Sequence, residues 1–344
     1  MRKLLALSLF MIATSIFASD DNVLNVYIWS SDIPDTVVQQ FERETHIKVN
    51  YSTYDSNETL YAKFLASDNP GYDIIQPSSY YVTRMRDKGM LMKLDKTQIP
   101  NLKYLSPSVL HPSYDPNLDY SIPSIWGVTG IFVNKKFYDP STIHSWADLY
   151  NPKYNDKVLL IDDIREVFSA ALISIGLNPN TSNPKDIKAG YERILQWLPN
   201  IKLFASDAVP SIIADEDATI GMAWNGDVFQ AQSDNPNIEF IYPQDGFIAW
   251  SDDFAIPKGA KHLKNAYKFI NFMERPDVNA EIIEGEGYPT GNVAAKKYLP
   301  KDMQDSTVLF PPDDVMKRAI WQGDISDQAL AVYEHYWELV KLAG

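Results

Sequence analysis

The sequence predicts an α/β fold in two lobes. Strand and helix patterns alternate from near the N-terminus in β-α-β fashion. A second series of the same kind begins after Ile122-Pro123. The length, 344 residues, is about twice that of a typical domain. A composition of 45% hydrophobic and 22% charged residues is that of a globular protein with a packed core, which excludes wholesale disorder and coiled coil.

The elements follow in order. Arg2 and Lys3 precede an apolar stretch of 14 residues, Leu4 to Phe17, and Ala18 offers a small residue at a cut. That run is shorter than the roughly 20 residues a membrane span needs, so residues 1–18 read as a cleaved secretory signal, with the mature chain starting near Ser19. Leu24 to Ile28 alternates as a strand, and Val37, Val38 and Phe41 sit at helical spacing within Ile33 to Thr45. Ile47 to Tyr54 is a second strand. Ser56-Asn57-Glu58-Thr59 opens a helix carrying Leu60, Tyr61, Phe64 and Leu65. Tyr72 to Ile75 is a short buried strand, and a helix starts at Ser78 or Ser79. These units predict a largely parallel sheet.

In the second series, Val158 to Ile161 is an apolar strand, and Val167 to Ile175 and Ile187 to Leu198 are helices. Lys202 to Ala205, Thr219 to Trp224, Ile238 to Tyr242 and Phe247 to Ile256 are extended. Leu263, Ala266, Tyr267, Ile270 and Met273 form an amphipathic helix. The apolar segments Trp126 to Asn134 and Ser251 to Ile256 would join the lobes. The expected division is 19–128 plus 254–296 for lobe 1 and 129–253 plus 297–344 for lobe 2.

Much chemistry is excluded. There is no cysteine, so thiol catalysis, Cys-ligated metal and lipid attachment through an N-terminal cysteine are ruled out. His46, His111, His144, His262 and His335 never fall at the i, i+3 or i+4 spacing of a helical metal pair. No Gly-rich phosphate loop and no G-x-S-x-G turn is present, which argues against a dinucleotide or acyl-transfer enzyme. A formal charge of −14 disfavours nucleic acid. No cofactor is expected.

What remains is a set of aromatic residues beside acids at strand ends: Trp29-Ser30-Ser31-Asp32, Tyr80-Tyr81, Asp162-Asp163-Ile164-Arg165-Glu166, Trp224-Asn225-Gly226-Asp227 and Trp250-Ser251-Asp252-Asp253. Ligands of open α/β sheets bind beyond the strand carboxyl ends. Each group has a structural rival. Asp163-x-x-Glu166 matches a capping box, with Asp163 as cap and Glu166 reaching back to the cap amide. Asp227 matches a helix N-cap, and Tyr80 and Trp224 match core residues. Trp250 and Asp252, two apart in an extended run, share a face. Aromatic planes with several carboxylates suit a flexible polycation, through cation–π attraction and charge-assisted hydrogen bonds. They also suit a sugar, and composition leaves both open. A secreted glycosidase using Asp163 and Glu166 is a remoter alternative, since the two acids lie within one helical turn.

At these motifs the sequence resembles the periplasmic spermidine/putrescine-binding proteins that feed ATP-driven polyamine importers. The likeness is densest at Tyr51-Ser52-Thr53-Tyr54-Asp55-Ser56-Asn57-Glu58-Thr59, Tyr120-Ser121-Ile122-Pro123, Ile125-Trp126-Gly127, Ser145-Trp146-Ala147-Asp148-Leu149, Asp162 to Phe168 and Gly287-Tyr288-Pro289-Thr290. It implies a type II periplasmic binding fold, two α/β lobes joined by β-strand hinges, that captures a polyamine in the cleft between them. The same likeness implies a monomeric, non-enzymatic protein of the periplasm that passes its ligand to a membrane ABC permease complex without itself entering the membrane. By position, Trp29, Tyr80, Trp224, Trp250 and Tyr288 match the family's aromatic residues, and Asp163, Glu166 and Asp252 match its carboxylates. Asp163 would face an internal secondary amine, and Glu166 and Asp252 one terminal ammonium. Ser30 and Gln322 match polar groups around the other end, and Ser206 a serine near the cleft. One position departs: Ser31 stands where relatives carry an acid. Asp32, one residue on, would point the other way in an extended segment. The second terminal ammonium would then lack its usual carboxylate.

Overall fold

The computed structural model describes residues 22–30, 32–67, 69–106 and 112–343. The expected signal at 1–18, the start near Ser19, Ser31 and His111 lie outside them. The first half-sheet is built from β1 (Val23–Trp29), α1 (Asp35–Thr45), β2 (Lys48–Tyr54), α2 (Asn57–Ala66), β3 (Ile74–Ile75) and α3 (Ser79–Asp87). Ser56 caps α2 by accepting from the Thr59 amide, as its sequence suggests. The long β4 (Ser121–Asn134) then leads into β5 (Val158–Leu160), α4 (Ile164–Ile173), α5 (Pro184–Trp197), β6 (Ile201–Phe204), α6 (Val209–Ala214), β7 (Ile220–Trp224), α7 (Asn225–Asp234) and β8 (Ile238–Ile241). The chain returns through β9 (Phe247–Ala255) to α8 (Leu263–Met273) and α9 (Pro276–Glu286). After β10 (Ala319–Trp321) it ends in the helix Asp327–Ala343.

One sheet runs through the molecule in the order β2-β1-β3-β9-β4-β7-β5-β6, with β10 on β9 and β8 on β4. Its flanks are parallel, as expected, but β4 runs antiparallel to β7, β8 and β9, and β3 antiparallel to β9. The expectation of a largely parallel sheet therefore fails at the centre. The reason is topological: two strands that pass between the cores in opposite directions pair antiparallel. A register shift between Pro123 and Ile125 accommodates the proline, which cannot donate to the ladder.

These central strands join two hydrophobic cores. On β4, Ile122 and Ile125 pack with Val26, Phe41, Phe254 and Phe269, while Val128, Ile131 and Val133 pack with Trp146, Phe168 and Trp197. On β9, Trp250 and Phe254 belong to the first core, and Phe247, Ile248 and Ala249 to the second. The C-terminal helix closes the second core with Ala329, Tyr333 and Val340. No helix among the described residues is long and apolar enough to cross a membrane.

Candidate functional site

A cavity of about 750 Å³ opens where the central strands cross between the cores. Trp29, Ser30, Tyr80, Asp163, Glu166, Ser206, Trp224, Trp250, Asp252, Tyr288 and Gln322 all line it. Residues spread from position 29 to 322 thus converge on one space.

The N-terminus of α4 supplies one acidic wall. Asp163, extended at φ −133° and ψ 124°, accepts from the amides of Arg165 at 2.7 Å and Glu166 at 2.9 Å. It is the cap the sequence predicts. Glu166, however, does not reach back to the cap amide. Its Oε1 accepts from Gln322 Nε2 at 2.9 Å, and among the described residues its Oε2 has no hydrogen-bond partner although the residue is buried. Burial, and then the neighbouring Asp163 charge, push the Glu166 carboxyl up to about 8. Burial also raises Asp163, against the two amide hydrogen bonds that oppose the rise.

The crossing strand β9 supplies the floor. Trp250 and Asp252 share its cavity face, as a period of two requires. Ser78 Oγ donates to Asp252 Oδ1 at 2.5 Å, and Asn57 Nδ2 donates to Ser78 Oγ at 2.9 Å and to the Tyr80 hydroxyl at 3.2 Å. Burial raises the Asp252 carboxyl to about 7. Behind Tyr80 lies the fully buried Arg165, its guanidinium 4.9 Å from the ring centroid. Among the described residues no lysine or arginine lies within ion-pair distance of Asp163, Glu166 or Asp252. Two buried carboxylates, Glu166 and Asp252, and the half-buried Asp163 therefore face a cavity without a cation of their own among the described residues.

The aromatic walls depend on small residues beneath them. Trp224 and Trp250 meet edge to face at 6.3 Å, and Trp250 and Tyr288 at 5.5 Å. A Cβ on Gly127 would stand 2.3 Å from Trp250 Cζ2, and one on Gly226 would stand 2.3 Å from Tyr288 Cε1, so only glycine lets either ring settle. Trp29 leans on Tyr54 at 4.9 Å.

Two expectations are corrected here. Trp224, not Asp227, is the N-cap of α7. Asp227 sits within the first turn and is buried, and it accepts from the Tyr288 hydroxyl at 2.7 Å. Asp32 does not point away: β1 ends at Trp29, so the strand alternation that would reverse Asp32 has already lapsed, and Asp32 is buried on the cavity wall. Sequence reasoning also passed over Ser78, Asn57 and Glu286. Nothing local marks them, since each reaches the cavity only through the pairing of distant elements.

The model of the family described as bacterial extracellular solute-binding protein matches residues 36–311. The spermidine/putrescine-binding periplasmic protein of Salmonella typhimurium is 44% identical to this chain, over 94% of it and 93% of the relative. That of Escherichia coli is 43% identical over the same shares. The solved spermidine/putrescine ABC transporter substrate-binding protein PotD of Streptococcus pneumoniae matches with a TM-score of 0.80 at 30% identity, covering 94% of this chain and 99% of that one. The expected resemblance and the two-lobed type II fold are both borne out by these likenesses.

Proposed function

The chain belongs to the bacterial extracellular solute-binding proteins, and from that premise we propose that it captures a polyamine, spermidine or putrescine, in the cleft and delivers it to a membrane ABC permease. The observation that carries this reading is the convergence of Asp163, Glu166 and Asp252, none with a basic partner among the described residues, on a cavity walled by Trp29, Tyr80, Trp224, Trp250 and Tyr288. A buried carboxylate without a counter-ion costs several kcal/mol. An ammonium supplies the missing counter-charge and lets the carboxyls ionise fully. Each methylene placed between the rings adds roughly 0.8 kcal/mol, and each ring over an ammonium about 0.5–2 kcal/mol. A neutral sugar would leave the acids unpaired, which disfavours the oligosaccharide alternative. The cavity falls within the range of about 300–1,000 Å³ usual for small-ligand sites.

The crossing strands β4 and β9 serve in this reading as the hinge on which the lobes close. The acidic surface draws in cations, an effect that salt screens. The family consists of transport components rather than enzymes, and the relatives at 43–44% identity are periplasmic proteins. Secretion through a cleaved segment at residues 1–18, the lobe boundaries at 128/129, 253/254 and 296/297, and a monomeric state complete the proposal.

A thermal-shift panel of putrescine, spermidine, spermine and neutral oligosaccharides tests it, because a true ligand stabilises by mass action. Stabilisation by an amine alone is expected. Stabilisation by a sugar, or by no amine, overturns the reading.

A further inference from the structure

Helix α3 meets residues 322–327 along one stripe. Tyr80 and Arg84 on α3, and Lys88 at its C-cap, recur four residues apart and so share a helix face. The helix belongs with the first half-sheet, where its Val82 and Met85 pack with Tyr27, Leu60 and Phe64. Residues 322–327 belong with the second core, in which Ile325 is buried beside Ala329 of the C-terminal helix. The stripe thus bridges the two sides of the molecule, running outward from the cavity that Tyr80 lines.

Arg84 is the centre of this contact. It is 4% exposed, and its Nη2 donates to Asp324 Oδ1 at 3.1 Å and to the Ile325 carbonyl at 2.7 Å. Asp324 Oδ1 also accepts from the Ile325 amide at 2.8 Å, so the segment is folded tightly around its own carboxylate. The rings of Tyr81 and Tyr61 stand 5.3 Å and 5.8 Å from the guanidinium. Farther out, Lys88 and Asp327 form an exposed pair at 3.0 Å. Among the described residues, every hydrogen bond and ion pair of the Arg84 guanidinium comes from residues 324–327. A buried guanidinium without partners is costly, so Arg84 is satisfied only while the two sides stay together. Neither Arg84 nor Asp324 lines the cavity, yet only Gly323 stands between Asp324 and Gln322, whose amide holds Glu166.

We propose that Arg84 is a positioning residue that latches the two lobes: its grip on Asp324 and the Ile325 carbonyl keeps the cleft closed and Gln322 set against Glu166. The residence of a bound amine then depends on a contact that never touches it, because affinity falls with the fraction of molecules in the competent arrangement. The effect on amine binding rests on the polyamine reading above; the effect on closure does not. Tyr80 couples the two, since it carries the cavity wall and the latch on one helix.

Two measurements on the full chain test the latch, in the wild type, Arg84→Met, Asp324→Asn and the double variant. Small-angle scattering reads the radius of gyration with and without saturating putrescine, and stopped-flow tryptophan fluorescence reads putrescine association and release. Each single variant is expected to be more expanded than the wild type without ligand. Each should release putrescine about 3- to 30-fold faster, with association changed less than about twofold. Because the two residues act through one contact, the double variant should lose no more than the larger single loss. Lys301→Met, which breaks the exposed Lys301–Asp305 pair outside the cavity, is the control and should change neither reading. Melting temperatures check the fold, and Asp324→Asn, at a half-buried side chain, stands in should Arg84→Met fold poorly. Wild-type compactness and release in both single variants, or losses that add in the double variant, overturn the latch and leave the polyamine reading intact. Failure of the wild type to bind putrescine or spermidine overturns the polyamine reading instead. The latch is then decided by scattering alone, where equal radii in wild type and variants overturn it.

Discussion

Asp252 and Asp253 are consecutive residues of β9, both buried, yet the two faces of the strand treat them differently. Asp253 accepts from Tyr114 at 3.1 Å, Ser251 at 2.6 Å and Ser121 at 2.7 Å. Among the described residues the Asp252 side chain has a single hydrogen bond, from Ser78, and faces the cavity. Burial raises both carboxyls, Asp253 to about 6 and Asp252 to about 7. A buried acid surrounded by donors is part of the framework. One left short of partners is poised for something from outside. The difference lies in the number of donors, not in depth.

The largest effect that would break this comparison concerns Asp253. Replacing it by alanine leaves the Tyr114 and Ser121 hydroxyls without their acceptor and Ser251 with only the Ile125 carbonyl at 3.4 Å, and should lower folding stability by about 3–5 kcal/mol, read by chemical denaturation. A loss under about 1 kcal/mol would show that its network is idle. Asp252→Asn and Glu166→Gln should each cost about 2–4 kcal/mol of polyamine affinity with the fold kept, read by calorimetry. Unchanged affinity in both would remove the carboxylates from the site. Trp250→Ala should cost about 1–3 kcal/mol of affinity through lost stacking and methylene burial. Gly127→Ala, which presses a methyl into the same indole, should move affinity in the same direction.

The gentlest test is pH. Carboxyls titrate near pH 4 in an unfolded chain, but Asp252 and Glu166 hold their protons to about 7 and about 8 in the folded, ligand-free protein. Between these limits the folded state binds more protons than the unfolded one, so stability falls as pH rises, by roughly 1 kcal/mol per pH unit for each such group. A bound polyamine favours the ionised form, so the ligand-induced rise in melting temperature should grow over pH 5 to 8. A ligand shift that shrinks across that window would contradict the account.

The order of strands and helices was legible because their apolar periodicities are strong, as in α8, where Leu263, Ala266, Tyr267 and Ile270 recur on one face. The antiparallel centre was not, since periodicity says nothing of strand direction. Trp250 and Asp252 could be placed together by alternation alone, and Asp163 by its capping position. Asp32 could not, because the rule applied to it holds only while the strand lasts, and β1 stops at Trp29. Asp227 was mistaken for a cap because α7 starts three residues earlier than its acid suggests. Ser78, Asn57 and Arg165 act through partners far away in the chain, information that no local pattern contains.

The stretch around Gln322 has a temporal consequence. Its side chain holds Glu166 and its carbonyl accepts from Ser79 at 3.4 Å. Asp324, two residues on, pairs with Arg84 at 3.1 Å, and Gly323 accepts from Arg165 at 3.1 Å. A growing polypeptide therefore cannot finish the receptor groove until residues 322–324 have been made. Fragments stopped short of that stretch would be left holding an undocked glutamate and a loose arginine, and competence to bind becomes a report on whether residues 322–324 have docked.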